Sequence, residues 1–107
     1  MDLSDLRGPA QFNVEGEANV VGAAWSAWVE EFECYADAKG LFHSRGSSEN
    51  AVRSRTKRKA LLMYCGGLRV REVFKSLHET LDHEIEADNY DETLKLLNGH
   101  FIVKPGE

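Results

Sequence analysis

Between Val21 and Ala36 the apolar residues Val21, Trp25, Trp28, Val29, Phe32, Tyr35 and Ala36 recur at three- and four-residue steps. At about 100° per residue they share one helical face, with Glu30, Glu33, Cys34 and Asp37 on the other side. A face carrying two Trp and a Phe must be buried against further elements, which commits the chain to a packed helical domain. Gly40, after Ala38 and Lys39, supplies the C-terminal stop. The chain of 107 residues fits one domain, and 42% hydrophobic residues suffice for a core.

The remaining pattern is also helical. Residues 1–18 hold Gly8, Pro9 and Gly16 without a helical period, so they read as an extended arm laid over the domain through Phe12 and Val14. Residues 19–107 form the helical unit. Ser47 or Ser48 can cap a second helix running to about Cys65, with Val52, Thr56, Ala60 and Met63 as its core stripe. Its first half, "RSRTKRK", has five basic residues in seven and points into solvent, while Ala60 to Cys65 is apolar all round and reads as deeply buried. Gly66-Gly67 supplies the positive φ of a corner. A third helix places Val70, Val73, Phe74 and Leu77 on one face and reaches toward Leu81. Asp88 or Asn89, with Asp91 or Glu92 at the third position, caps the last helix. Its stripe is Tyr90, Leu94, Leu97 and Phe101, and Pro105 ends it. The expectation is all-α, a small bundle of four to five helices with an extended N-terminal arm.

Charge is segregated. Residues 1–38 carry −7, residues 39–75 carry +8 and residues 76–107 carry −6. A basic middle between acidic ends suits contacts between copies arranged head to tail, against the plainer reading of a mixed, solvated surface. No apolar run approaches the ~18 residues that span a bilayer. The N-terminal stretch lacks a signal peptide's basic flank and apolar block. Cys34 and Cys65 are too few for a disulfide framework, so a reduced cytoplasmic protein is expected.

Candidate chemistry is thin. In "HETLDH" the two His are five residues apart, about 140° round a helix, so they cannot form the zinc pair of H-E-x-x-H. Cys34, His43, Cys65 and His100 show no metal-ligand spacing, and no cofactor is expected. Cys65 reads as a small buried hydrophobe with a raised pKa, and Cys34 as exposed. The sequence has no phosphate-cradling Gly loop and no G-x-S-x-G elbow, and the reading is against an enzyme. "RSRTKRK" invites nucleic-acid binding, yet its charges spread around the helix and no aromatics interleave them. As a helix-turn-helix, "LRVREVFKSL" would offer Arg71 and Lys75 to DNA with Glu72 between them repelling phosphate.

Taken in order, "AAWSAWVEEFECYADAKG", "KRKALLMYCGGLRVREVFKSL" and "DNYDETLKLLNGHFIVKPGE" resemble the Gag polyproteins of gypsy-type LTR retrotransposons and their domesticated relatives, the Arc family included. The theme W-x-x-W-x-x-x-F-x-x-Y-x-x-A-x-G falls on Trp25, Trp28, Phe32, Tyr35, Ala38 and Gly40. The apolar helix end before Gly-Gly falls on Ala60 to Gly67, and the last helix on Tyr90, Leu97 and Phe101. The resemblance spans about residues 9–107 and implies the N-terminal lobe of a capsid. It implies a structural role in a virus-like particle that packages RNA, with the second lobe and zinc knuckle lying beyond Glu107 and RNA met only through those regions. Trp25, Trp28, Phe32, Phe74, Leu94 and Phe101 would hold the bundle. Glu30 and Glu33 on the first helix, and Arg53, Arg55, Lys57 and Arg58 on the second, would meet neighbouring copies. The isolated lobe would be mainly monomeric, and reversing Arg55 and Arg58 would spare the fold. The alternative the resemblance carries is an adaptor whose groove captures extended peptides, its own arm among them.

Overall fold

The computed structural model describes residues 8–102. The expected helix end at Pro105 lies outside them. Among the described residues the architecture is all-α, with four helices: α1 (Ala18–Ala38), α2 (Glu49–Gly66), α3 (Leu68–Glu79) and α4 (Tyr90–Phe101). The stretch between α3 and α4 adds turns but no fifth helix.

Helix α1 packs against α2 and α4. Trp25, Trp28, Val29, Phe32 and Ala36 are all buried, as the periodicity predicts. Its aromatics form a ladder: Trp25 stacks on Trp28 at 5.4 Å between centroids, and Trp28 on Phe32 at 5.7 Å. The helix ends in a Schellman turn. Leu41 N–H donates to the Ala36 carbonyl, Gly40 N–H donates to Asp37, and Gly40 takes φ +77°. At the other end α4 crosses closely, and a Cβ on Gly22 would lie 3.3 Å from the Phe101 carbonyl oxygen.

Helix α2 departs from the expected face. Ser48 caps it, its hydroxyl accepting from Ala51 N–H. The buried stripe is Ala51, Arg58, Leu62 and Cys65, rotated from the expected Val52, Thr56, Ala60 and Met63. Ala60 is exposed and Tyr64 is 75% exposed, so the apolar end is not buried all round. Arg58 in the middle of this stripe hid it, because a stripe read by hydropathy alone skips an arginine.

The Gly66-Gly67 corner joins α2 to α3. Gly67 adopts φ +86° with ψ −174°, a region that a side chain resists. Gly66 is needed for space: a Cβ there would come within 2.8 Å of the Val70 Cβ. Val70 is the fully buried residue of α3, while Phe74 sits half-buried at the core margin beside Val73. Helix α3 stops at Glu79 and does not reach Leu81.

Asn89 caps α4 reciprocally with Glu92. The Asn89 side-chain oxygen accepts from Glu92 N–H at 3.0 Å, and its amide donates to the Glu92 carboxylate at 3.0 Å. Tyr90, Thr93, Leu97 and Phe101 face the core, with Leu94 at its margin.

Candidate functional site

Residues 8–15 run extended across the bundle, and Phe12 is a core residue at 2% exposure. Its ring meets Trp25 at 5.0 Å and Phe101 at 5.2 Å, both edge to face. Three polar contacts hold the arm's backbone. Phe12 N–H donates to the Gly66 carbonyl at 3.1 Å. Trp28 Nε1–H donates to the Ala10 carbonyl at 2.6 Å, and the Arg69 guanidinium donates to the Val14 carbonyl at 2.6 Å. Val14 packs half-buried against the core, as the sequence suggests. Sequence reading laid the arm over the domain; the structure embeds it, with Phe12 buried among Trp25, Trp28 and Phe101 and tied to the α2–α3 corner.

The expected assembly residues separate into two groups. Arg58 is 2% exposed and cannot meet a neighbouring copy, which corrects the solvent-facing expectation. Its guanidinium donates to Asp37 at 2.6 Å, to the Leu41 carbonyl at 2.8 Å and to Glu33 at 3.3 Å. It also lies over the Tyr90 ring at 4.9 Å, while its Nε has no partner. Burial opposes its charge, but the hydrogen bond to Asp37 and the neighbouring Tyr90 outweigh that effect and raise its pKa above the ordinary guanidinium value. Arg55 is held likewise: it pairs with Asp88 at 2.7 Å and donates to the Ser44 and Gly46 carbonyls. The Arg55 hydrogen bond pulls the Asp88 pKa below the usual carboxylate range. Glu33 serves this internal cluster, accepting also from the Tyr90 hydroxyl at 3.4 Å. Glu30, Arg53 and Lys57 remain exposed, Arg53 bridging Glu49 one turn back.

Helices α3 and α4 and the stretch between them border an open cleft of about 780 Å³ that sequence reading missed. Leu77, Leu81 and Leu96 give it an apolar floor, and Asp91, Glu92 and Lys95 line its edge. Its only sequence signal was Leu96, an apolar residue off the α4 stripe. The loop beside it is pinned by histidines: His78 Nε2 accepts from Ile85 N–H, and the two ring nitrogens of His83 face Asp82 and Glu92. Hydrogen bonding to Asp82 and Glu92 raises the His83 pKa.

Cys65 is buried, which pushes its thiol pKa up, and Cys34 is exposed. Among the described residues no three His, Cys, Asp or Glu side chains cluster as metal ligands, and no helix is long and apolar enough to cross a membrane. On α3, Arg71 spends its guanidinium on the Met63 carbonyl at 3.2 Å. No family model matches the chain, and neither a curated protein nor a solved structure matches it.

Proposed function

We propose that the chain is a structural assembly module, the N-terminal capsid lobe of a retrotransposon-type Gag. The observation that carries the reading is the placement of the motif residues that bear the resemblance. Trp25, Trp28 and Phe32 stack as one ladder, Phe101 closes it, and the Cys-Gly-Gly stretch is the tight corner between two bundle helices. Around that bundle Glu30 on α1 and Lys57 on α2 are exposed to partners, as is Arg53, which bridges Glu49 on its own helix. In the full-length gene product such lobes form subunit contacts of a particle that encloses RNA, the RNA being met by other regions. The test is electron microscopy of that full-length product purified from cells, with nuclease protection of its RNA. Regular particles holding protected RNA are expected. A dispersed protein without protected RNA overturns the reading.

One observation favours a second reading, a peptide-binding adaptor. The arm already behaves as a bound extended peptide, held by an aromatic anchor and contacts to three backbone groups. A synthetic peptide of residues 8–16 added to a Phe12→Ala chain should raise its melting temperature. An unchanged temperature removes this reading.

A further inference from the structure

The outer face of α2 is unusual for a helix in a small bundle. Arg53, Lys57, Ala60 and Tyr64 are all exposed and lie within an arc of about 60°. The stripe is basic at its start, small in its middle and aromatic at its end. Leu68, 61% exposed, continues it past the corner. Large apolar side chains this open mark contact surfaces more often than solvated ones when they adjoin one another.

The α3–α4 cleft carries the matching features in the matching order. At the start of α4 its edge carries Asp91 and Glu92 beside Lys95, and the adjoining loop adds Asp82 and Glu84. His83 lies between Asp82 and Glu92 and His43 faces Asp91, and the four carboxylates still outnumber these bases. At the end of α4 stands Gly99, where an added Cβ would meet nothing within 4 Å. The fold itself therefore does not need a glycine there. A glycine inside a helix destabilises it relative to alanine, so its use points to a close approach from outside. Next to this cleft, sharing Leu77 and His100 with it, a second and smaller hollow is lined by Glu72, Val73 and Ser76 of α3. Lys57 precedes Tyr64 by seven residues, and Glu92 precedes Gly99 by seven, so both intervals rise about 10 Å along their helices.

We infer that the exposed stripe of α2 on one copy docks into the α3–α4 cleft of a second copy, running parallel to α4. Lys57 and Arg53 meet the acidic end, Ala60 passes beside Leu96, and the Tyr64 ring lies over Gly99. Leu68 reaches the smaller hollow at Val73. The two surfaces differ, so the contact is heterologous and propagates into rings or open chains instead of stopping at a dimer. It deepens the assembly reading and rests on it for its biological use, while its geometry stands on the surfaces alone.

The experiment is sedimentation velocity at low salt over a concentration series. The wild-type chain should pass beyond dimer as concentration rises, and added salt should reverse this. A face variant, Lys57→Glu with Tyr64→Ser, and a cleft variant, Gly99→Gln, should each lose about tenfold or more in association. Gly99→Gln should melt no lower than wild type, since its side chain enters open space. Mixed in equal amounts, the two variants should form a dimer that does not grow, because one intact stripe meets one intact cleft. A wild-type chain monomeric throughout, variants that associate like wild type, or a mixture that stays monomeric would each overturn the contact. Particle imaging separates the two levels. Particles unaffected by Gly99→Gln remove this contact and leave the assembly reading standing. A full-length product without particles removes that reading, and the concentration series still decides the contact.

Discussion

At Arg58 the guanidinium leaves water almost entirely and recovers hydrogen bonds from Asp37, Glu33 and the Leu41 carbonyl. Its two carboxylate partners stay 42% and 55% exposed at the side chain, so water still screens the pairs from outside. Loss of the arginine therefore strips the buried face of α2 of its polar tie without stranding fully buried anions. Arg58→Ala should destabilise by about 3 kcal/mol, the scale for breaking charge-assisted bonds and opening a gap. Arg58→Glu should do worse, because it sets three carboxylates together. Urea unfolding followed by circular dichroism measures both, and wild-type stability in either would contradict the cluster's role. The expectation that reversing Arg55 and Arg58 spares the fold is replaced by this one. Phe12 makes the complementary case among apolar residues. It lies outside every helix, yet its ring closes the aromatic core. Phe12→Ala should cost about 3–5 kcal/mol, as emptying a buried aromatic site does. A loose arm would give no change in the same unfolding curve.

Among the elements, α1 was legible because its buried face is built from apolar residues at helical spacing, and α4 largely so, the exception being the buried Thr93, which takes the core position expected of Leu94. The reciprocal Asn89–Glu92 cap and the Gly40 stop were legible too, since each rests on local chemistry that sequence spacing displays. Helix α2 was not. Its buried stripe runs Ala51, Arg58, Leu62, Cys65, with Arg55 partly buried beside it, and both arginines read as solvent-facing until their partners on α1 and before α4 are seen. Those partners are 21 and 33 residues away in sequence, beyond any local pattern. The cleft between α3 and α4 was illegible for the same reason, being a property of two helices and not of one. The corner between α2 and α3 was read as a turn, and the structure divides its work between two glycines. Gly67→Ala places a side chain at φ +86° and ψ −174°, so it should destabilise by about 1–3 kcal/mol. Gly66→Ala instead drives a methyl group into Val70. Thermal unfolding of the two variants should show both lowered, and an unaffected Gly67→Ala would mean that the corner relaxes into another turn.

At the scale of the whole molecule, Tyr90 is where three helices meet. Its hydroxyl donates to Glu33 of α1, its ring lies under Arg58 of α2, and it opens α4. Burial, with the negative charge of Glu33 next, pushes its pKa up to about 12, and the Arg58 guanidinium opposes this only in part. The phenol is thus harder to ionise in the folded chain than in the unfolded one, where its pKa is near 10. Between those values the folded state holds a proton that the unfolded state has released, so stability falls as pH rises. The contribution is fully present below about pH 10 and is lost progressively toward pH 12, amounting to about 2–3 kcal/mol at one pKa unit per 1.4 kcal/mol. The difference between wild type and Tyr90→Phe isolates the tyrosine. Phe keeps the ring beneath Arg58 and removes only the ionisable group. Unfolding free energies measured from pH 8 to pH 12 should therefore converge, the wild type losing any advantage over Tyr90→Phe as the pH climbs. Because Tyr90 bridges α1, α2 and α4, the loss should appear as one cooperative transition at every pH and not as fraying of α4 alone. Parallel curves for the two chains would show that Tyr90 ionises as freely in the bundle as in the unfolded chain, and that the three-helix junction is open to water.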